Sequence, residues 1–398
     1  MTESIMTDRL YYRNQGLLDF DATIMRIQEQ DGYWLTFLDR SAFYPTSGGQ
    51  LHDTGKLNGI AVIEVSASDN GEVAHKTEQP PGRAGDKVHG EIDAERRWQH
   101  RQQHTAQHIL SAVFLDLFDA PTVSVHLGAD YGAVEFDRER FSEDQLRQAE
   151  DKANVIIRED YPVRISFVDG AEADEIPFRR PPKRTGKLRV VQIGDFEYAA
   201  CGGTHCDSTG QVGLIKIIEQ GKLRNHALVH FLSGSQTIND YQLRFEVTDK
   251  LSHSLTCGVR DLPEKIDNLL AQERELRQRI SGLYTRMLPT LAEEVIDNNH
   301  GVNLVTGVTE LPDVRLTAKL AALIAERTER LACLLNDHNL VLAAPERSNF
   351  DLRKTAKRLN DATNLKGGGS NSLVQFGQAE TVDFKLYIDI IEESLSHE

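Results

Sequence analysis

Two short motifs, far apart in the chain, carry side chains that could bind one metal ion. The first is His104-Thr-Ala-Gln-His108 and the second is Cys201-Gly-Gly-Thr-His205. Apolar residues recur at helical spacing after the first motif, so its two histidines, four residues apart, share one face of a helix. Two histidines, a cysteine and a third histidine form a nitrogen and sulfur set that suits zinc, and the paired glycines permit a tight turn. The sequence therefore predicts a Zn²⁺ site with His104, His108, Cys201 and His205 as ligands.

Each motif alone is weak, and spacing leaves one choice open. His100 lies one turn before His104, so spacing does not decide which pair on this helix binds. An isolated pair of this kind is more often part of a solvated polar helix face. The chemistry of HExxH metalloproteases is a poor match, because those enzymes need a glutamate after the first histidine and this chain has Thr105 there. The second motif is what favours a metal site.

Composition limits the class of protein. With 398 residues, 39% hydrophobic and 27% charged, the chain predicts two or three domains and has no apolar run that could span a membrane. Its first residues lack the basic start and apolar core of an export signal, and its four cysteines give no disulfide framework, so we expect a cytoplasmic protein. A net charge of −16 argues against indiscriminate binding of nucleic acid.

One segment is nevertheless basic. Residues 179–189 carry six positive charges, and they lie shortly before Cys201. Most charge runs are solvated loops, but the position beside the predicted metal site makes contact with phosphate an equal alternative. The candidate phosphate contacts are Arg179, Arg180, Lys183 and Arg184.

Residues 1–92 predict a small antiparallel β-barrel. Short runs rich in β-branched and aromatic residues, at 19–27, 32–38, 59–65 and 85–93, are separated by turn-forming residues. Between the second and third runs, aromatic, hydroxyl and amide side chains surround a Gly-Gly pair, which suits a loop whose backbone amides approach a ligand. The candidate binding residues of this loop are Thr46, Gly48 and Gly49.

The rest of the chain predicts three further regions. Residues 93–236 alternate helices and strands around the two metal motifs, and we expect an α+β core there. Residues 237–292 predict long helices broken at Gly258 and Pro263 and interrupted at Pro289, which favours a coiled-coil-like arm or dimer contact. Residues 293–398 predict an α/β domain with a helix from about 315 to 335.

A glycine-rich segment near the C-terminus is a second candidate site. It comprises Lys366, Gly367, Gly368 and Gly369. As a loop it could bind phosphate through its backbone amides, and as a plain flexible turn it would have no such function. It is no Walker motif, because Lys followed by Ser or Thr does not come after the glycines.

Taken together, these motifs resemble the editing module of alanyl-tRNA synthetase and the free-standing alanyl-tRNA editing proteins of the AlaX type. The resemblance rests on residues 43–50 with Asp53-Thr54-Gly55, on His104 to His108 and on Cys201 to His205, and it covers about residues 15–235. The C-terminal third resembles the end domain of the same synthetase, whose glycine-rich loop corresponds to residues 365–370. This points to the long form of the family. Since no ATP-binding aminoacylation domain precedes the barrel, we expect the chain not to charge tRNA.

The resemblance implies an α+β protein with an N-terminal β-barrel, a zinc-binding editing core, a helical arm and a C-terminal α/β domain that binds tRNA or dimerises. It implies hydrolysis of alanine tRNA mischarged with serine, with glycine as a second candidate. It implies a homodimer formed through the arm and the C-terminal domain. It also implies that the zinc ligands are His104, His108, Cys201 and His205.

Our mechanistic hypothesis assigns catalytic roles to Ser41 and Gln50. With zinc, they would recognise the amino group and hydroxyl of the substrate while a water attacks the ester. A site built to bind a hydroxyl rejects alanine because its polar groups are then left unpaired. Family members often have threonine where this chain has Ser41, so the basis for rejecting alanine is less secure here.

Two other functions stay open. Four protein ligands fill a tetrahedral zinc shell, which is typical of a structural ion, so a non-catalytic tRNA-binding module is the main alternative. A phosphoesterase is suggested by the glycine-rich segment alone, and the chain lacks the Asp-His-His cluster with which such enzymes hold metals.

Overall fold

The computed structural model describes residues 6–182, 186–299, 303–348, 350–363, 365–380 and 383–395. It is a mixed α+β structure that divides into two compact units, Met1–Asp249 and Lys250–Glu398. The predicted α+β class and the N-terminal barrel are confirmed. Within these described ranges, no helix combines the length and the apolar character needed to cross a membrane.

The first unit begins with eight strands, six of which form a closed barrel. The strands are β1 (Asp8–Arg9), β2 (Asp19–Gln30), β3 (Tyr33–Leu38), β4 (Arg40–Ser41), β5 (Gly55–Leu57), β6 (Ile60–Ala67), β7 (Val73–Thr77) and β8 (Lys87–Ile92). The barrel order is β2-β3-β7-β6-β5-β8, while β1 and β4 pair in parallel beside it. Alternate residues of β2 (Phe20, Ala22 and Ile24) are buried in the barrel, as the two-residue period of a strand requires.

The sequence did not predict β7, and its inward-facing residues explain why. Val73, His75 and Thr77 all point into the barrel and are buried. Because two of these three inward side chains are polar, the segment shows no alternation between apolar and polar residues. A strand whose buried face is mostly polar gives no hydrophobic signal in the sequence.

The remainder of the first unit is an α+β core that contains both metal motifs. Its elements are α1 (Ala94–Phe118), β9 (Thr122–Leu127), β10 (Gly132–Phe136), α2 (Glu143–Arg158), β11 (Val163–Val168), α3 (Gly170–Ala173), β12 (Leu188–Ile193), β13 (Glu197–Ala200), β14 (Ile215–Leu223) and β15 (His226–Ser233). One antiparallel sheet has the order β14-β15-β10-β9 and another has the order β11-β12-β13. Helices α1 and α2 pack on this core through Ile109, Phe114 and Ile157. Nearly every residue of α1 between His100 and Phe114 is buried, so this helix runs through the interior.

Two long helices follow, α4 (Ser235–Leu255) and α5 (Leu262–Asp297). They are separated where Gly258 and Pro263 predicted a break, and Pro263 lies in the first turn of α5, where proline is tolerated. The prediction that Pro289 interrupts the helix was wrong, because α5 continues through Pro289 to Asp297. Leu288 and Ala292, on either side of the proline, are buried in a hydrophobic core, and this packing offsets the lost backbone hydrogen bond.

The second unit continues as a three-layer α/β domain. Its elements are β16 (Leu304–Thr309), α6 (Val314–Thr328), β17 (Leu331–Asn336), β18 (Asn339–Ala343), α7 (Leu352–Ala362), β19 (Lys366–Gly369), β20 (Leu373–Gly377) and α8 (Phe384–Leu395). The sheet order is β16-β17-β18-β20-β19, and only β16 and β17 among these strands run parallel. Helices α5 and α6 pack on one face of the sheet, and α7 and α8 pack on the other.

Two expectations for this unit were wrong. The helix predicted to reach residue 335 ends at Thr328, with Glu329 in the left-handed conformation, and β17 follows. This strand is buried on both faces, so its apolar residues are continuous and carry neither a helical nor a strand period. The predicted glycine-rich loop is instead the edge strand β19, in which a Cβ on Gly367 would lie 2.1 Å from the carbonyl oxygen of Gln375.

Candidate metal centre

The structure brings together the four side chains predicted as metal ligands. The candidate ligand atoms of His104, His108, Cys201 and His205 all lie within 4.8 Å of one another. The two histidines of α1 project from successive turns, and Cys201 and His205 lie in the loop after β13. His100 is outside this cluster, with its Nδ1 atom 3.8 Å from Oδ1 of Asp53. Spacing allowed two pairs on α1, His100 with His104 and His104 with His108. Tertiary packing places the second pair in the cluster.

The side chains of this cluster fit a metal ion. Both ring nitrogens of His205 are buried and have no hydrogen-bond partner among the described residues. Leaving such polar atoms unpaired in the interior is costly, and an ion would satisfy one of them. Cys201 adds a sulfur donor, with Sγ 3.4 Å from Nε2 of His104. A set of three imidazole nitrogens and one thiolate is chemically suited to zinc.

Burial and neighbouring side chains of the cluster shift the pKa values of Cys201 and His205. Burial opposes a charged thiolate, but the nearby imidazoles of His104 and His205 hold the pKa of Cys201 well below its usual range. Burial and the charge of His104 hold the pKa of His205 well below its usual range. Both groups are therefore in the forms that bind metals.

His108 carries a proton that a metal ion would have to displace. Burial lowers its pKa, but hydrogen bonds with Cys201 and Glu197 outweigh burial and raise the pKa of His108 to about 9. Because the neutral imidazole is the ligand, metal binding at this position releases a proton at neutral pH.

Two buried acceptors orient the histidines of α1. Oε1 of Gln50 accepts a hydrogen bond from Nδ1 of His104 at 2.8 Å, and Oε1 of Glu197 accepts one from Nδ1 of His108 at 2.9 Å. These bonds leave Nε2 of each ring for the metal cluster, which is the usual arrangement around metal-binding histidines. Arg179 in turn donates from Nε to Oε2 of Glu197 at 2.8 Å. Sequence reasoning missed Glu197, although an acidic residue four positions before Cys201 is a signal that could have found it.

Gly203 is required where the loop passes over α1. A Cβ at this position would lie 2.1 Å from Cε1 and 2.3 Å from Nδ1 of His104.

Two buried side chains hold the backbone of the same loop. Arg189 donates from Nη1 to the carbonyl oxygen of Cys201 at 2.6 Å. Oε1 of Gln15 accepts from the backbone N–H of His205 at 2.5 Å. Sequence reasoning assigned no role to Gln15 and counted Arg189 only as part of the basic run 179–189, because the partners of both residues are distant in the chain.

The Gly48-Gly49 loop lies against β9. Gly49 has a positive φ of 87°, and a Cβ there would lie 2.5 Å from the carbonyl oxygen of Val125. Its own carbonyl accepts from the N–H of Leu127 at 2.8 Å. Gly48 and Thr46 are exposed, and Oγ1 of Thr46 lies 3.0 Å from Nδ1 of His52. The loop therefore turns Gln50 inward and leaves Thr46 and Gly48 accessible.

A buried ion pair connects this loop to α1. Nη2 of Arg97 lies 2.5 Å from Oδ2 of Asp53, and neither side chain is appreciably exposed. Oδ2 of Asp53 also accepts from the N–H of Tyr44 at 2.6 Å. The desolvation of Asp53 is opposed by Arg97, which holds the pKa of this carboxyl below its usual range. Sequence reasoning did not single out Arg97.

Ser41 and Gln50, the two side chains assigned to direct substrate contact, are buried with their polar atoms paired. Oγ of Ser41 lies 2.7 Å from Nε2 of His75 and accepts from the N–H of Phe43 at 3.1 Å, inside the barrel. Gln50 bonds Thr204 as well as His104, at 3.0 Å from Nε2 to Oγ1. In this geometry neither residue offers a free group to a substrate.

The candidate phosphate contacts are distributed over both units. Arg179 is paired with Glu197, whereas Arg180 is exposed and donates from Nη1 to the carbonyl oxygen of Val123 at 3.3 Å. Lys183 and Arg184 lie outside the described residues. Lys366, Gly367, Gly368 and Gly369 belong to the second unit, where Lys366 and Gly367 line a surface depression of about 630 Å³.

Comparison with known proteins identifies the family. Residues 188–235, which include Cys201 and His205, match the family described as "Threonyl and Alanyl tRNA synthetase second additional domain". The alanyl-tRNA editing protein AlaX-M of Methanosarcina acetivorans is 35% identical over 244 residues, covering 57% of this chain and 98% of that protein. The chain belongs to the alanyl-tRNA editing protein family. The resemblance inferred from the motifs is thereby confirmed.

Two longer matches extend the family relationship over almost the whole chain. The alanyl-tRNA editing protein AlaX-L of Pyrococcus horikoshii is 29% identical over 407 residues, covering 98% of this chain and 99% of that protein. The alanine–tRNA ligase of Archaeoglobus fulgidus is 28% identical over 408 residues. That match covers 98% of this chain but 44% of the ligase, so the chain spans less than half the length of this relative.

Proposed function

We propose that this chain is a trans-editing hydrolase that removes serine, with glycine as a second candidate, from mischarged alanine tRNA. The names of its relatives support an aminoacyl-tRNA substrate. The observation that carries the proposal is the convergence of His104, His108, Cys201 and His205. His104, His108 and His205 are buried, whereas Cys201 is partly exposed as a residue. We therefore take the side of Cys201 as the open side of the cluster, from which a substrate would approach.

The residues around the cluster would provide orientation and binding. His104, His108, Cys201 and His205 would hold a zinc ion, which would supply Lewis-acid chemistry for ester hydrolysis. Gln50 and Glu197 fix the rings of His104 and His108, so the donor atoms are positioned before substrate arrives. The exposed backbone of Gly48 and the hydroxyl of Thr46 are suited to bind the aminoacyl end.

The buried geometry of Ser41 and Gln50 changes the roles that we propose for them. Gln50 acts as a positioning residue for His104, and Ser41 supports the barrel through His75. Selection of serine over alanine then depends on groups at the open side of the cluster. A site that pairs with a substrate hydroxyl can discriminate by roughly 10⁴-fold, because alanine leaves its polar groups unpaired.

Binding of the tRNA body would involve separate basic surfaces. We propose that Arg180, Lys183, Arg184 and the backbone of Lys366–Gly369 contact phosphates, whereas Arg179 stabilises Glu197. A cytoplasmic setting, where tRNA is charged, is part of the proposal.

The proposal includes a homodimer formed through the helical arm and the C-terminal domain. Helices α4 and α5 expose large apolar side chains, including Leu243, Leu276 and Leu283, each with more than half of its surface accessible. Covering such side chains would favour association. A monomeric mass in solution at micromolar concentration would count against the dimer.

A second candidate function is a non-catalytic tRNA-binding module with a structural zinc. It is favoured by the donor set itself, because three imidazoles and a thiolate can fill a tetrahedral shell and leave no open position. The two candidates differ in whether the zinc-loaded protein turns over substrate.

Deacylation of alanine tRNA loaded with serine, glycine or alanine, together with metal analysis, tests the proposal. We expect one zinc per chain and release of serine faster than alanine. His108→Ala should lose turnover and retain tRNA binding, while His226→Ala, outside the cluster, should behave as wild type. A zinc-loaded protein that binds tRNA but leaves seryl-tRNA intact would support the second candidate.

A further inference from the structure

An aromatic ring borders the metal cluster on its open side. Tyr12 ends the short 3-10 turn Leu10–Tyr12, and it is partly exposed. A Cβ placed on Gly202 would lie 3.5 Å from the hydroxyl oxygen of Tyr12. Gly202 directly follows Cys201 and is itself exposed. The Tyr12 side chain therefore lies next to the residue that follows Cys201.

The position of this ring is fixed relative to the metal cluster. Arg189 donates from Nη1 to the carbonyl oxygen of Cys201 at 2.6 Å and from Nε to that of Tyr12 at 3.4 Å. Its guanidinium also lies 5.5 Å from the centre of the Tyr12 ring. Tyr11, which is buried, packs edge-on against Tyr12 with ring centres 4.9 Å apart. One buried arginine thus connects the ring to the backbone of a candidate metal ligand.

A second arginine adds positive charge at the edge of the ring. Nη1 of Arg9 donates to the hydroxyl of Tyr12 at 3.0 Å, and its guanidinium lies 5.7 Å from the ring centre. Arg9 is partly exposed, unlike Arg189. A partly exposed aromatic ring and a partly exposed cation therefore lie together beside the loop that carries Cys201.

We propose that Tyr12 and Arg9 form a subsite for the terminal nucleotide of the substrate. The inference rests on the proposed function, in which the ester is carried by the 3′-terminal ribose of a tRNA. If the ester lies at the cluster, the purine base on the same ribose must lie close by, and unpaired bases bind by stacking on aromatic side chains. Tyr12 supplies the ring, and the guanidinium of Arg9 supplies charge for the 5′-phosphate of that nucleotide.

Binding of adenosine 5′-monophosphate to the full-length, zinc-loaded protein tests the subsite without requiring turnover. Stacking on an aromatic ring has an energy that corresponds to at least about fivefold in affinity. Tyr12→Leu should therefore weaken binding of the nucleotide by at least about fivefold, while Tyr12→Phe should retain it. Ribose 5-phosphate, which has no base, should bind equally to wild type and Tyr12→Leu. Arg9→Gln should weaken both ligands.

The matched control is Tyr33→Leu. Tyr33 also has a cation over its ring, with Nζ of Lys76 at 4.4 Å from the ring centre, but it lies at the turn between β2 and β3. This variant should bind adenosine 5′-monophosphate as wild type does. With seryl-tRNA as substrate, Tyr12→Leu should raise KM and leave kcat within about twofold.

Four outcomes separate the possibilities. Equal nucleotide binding by wild type and Tyr12→Leu, or no binding by wild type, overturns the subsite. A folded, zinc-loaded Tyr12→Leu protein with reduced kcat and unchanged KM also overturns it, because the ring would then act only by positioning Cys201. Nucleotide binding that depends on Tyr12 in a protein without hydrolase activity supports the subsite and refutes the proposed hydrolysis.

Discussion

Glu197 accepts a hydrogen bond from His108, with Oε1 of the carboxylate 2.9 Å from Nδ1 of the imidazole, where both side chains are buried. The carboxylate thereby fixes the ring and directs Nε2 toward Cys201 and His205. A buried carboxylate needs a positive partner, and Arg179 provides one at 2.8 Å. Arg179, which was predicted to contact phosphate, therefore stabilises Glu197, the hydrogen-bond acceptor of the candidate metal ligand His108.

Replacement of Glu197 should weaken metal binding without removing a ligand. We expect Glu197→Ala to lower zinc affinity by about 10- to 100-fold, as loss of the acceptor behind a metal-binding histidine typically does. Competition with a chromophoric chelator measures this affinity directly.

The control for this prediction is Glu135→Ala. Glu135 holds a histidine in the same way, with Oε1 2.6 Å from Nδ1 of His226, but this pair is outside the metal cluster. Its replacement should leave zinc affinity unchanged. Equal effects of the two alanine variants would mean that Glu197 acts through general stability.

The two glycines between Cys201 and His205 should differ sharply in their tolerance of alanine. Gly203→Ala would place a Cβ 2.1 Å from Cε1 of His104, so either the loop or the ring must move and the four ligands can no longer converge. Gly202→Ala meets only the hydroxyl of Tyr12, at an ordinary contact distance of 3.5 Å. Metal analysis of the purified variants should find zinc in Gly202→Ala and little or none in Gly203→Ala. Full zinc occupancy in both variants would contradict the close approach.

His75 should make the stability of the barrel depend on pH. Burial lowers the pKa of His75 to about 4, although its hydrogen bond to the carbonyl oxygen of Thr36 acts in the opposite direction. The folded state therefore favours the neutral ring. Its contribution is fully present above the ordinary value near 6.5 and is lost as the pH falls toward 4. Between pH 7.5 and pH 5 this one group should cost about 2 kcal/mol of unfolding free energy.

Denaturant unfolding of wild type and His75→Gln at these two pH values measures the contribution of His75. Glutamine can retain hydrogen bonds to Ser41 and Thr36 but does not titrate. The loss of unfolding free energy on acidification should be smaller in the variant by about 2 kcal/mol. Identical losses in both proteins would show that the buried ring is not a source of the pH dependence.

Local patterns predicted much of the fold. The strands of the barrel with alternating apolar residues and the helix break near Gly258 both follow from short-range preferences, and both are observed. Each element that the sequence patterns did not predict correctly has a specific physical reason. The strand β7 has a polar buried face, β17 is apolar on both faces, and α5 continues through Pro289 because its neighbours are buried.

The sequence showed two pairs of candidate ligands, His104 with His108 and Cys201 with His205. Each pair could be recognised because a helix or a tight turn brings residues four apart to the same side. The sequence by itself therefore determined the donor types, the two pairs and the family to which they point. Only the tertiary structure decided that His100 is excluded, that Gln50 and Glu197 orient the rings, and that Arg189 connects Tyr12 to Cys201. These contacts join residues far apart in the chain, and they arise from the packing of α1 against the loop after β13, which no local preference specifies.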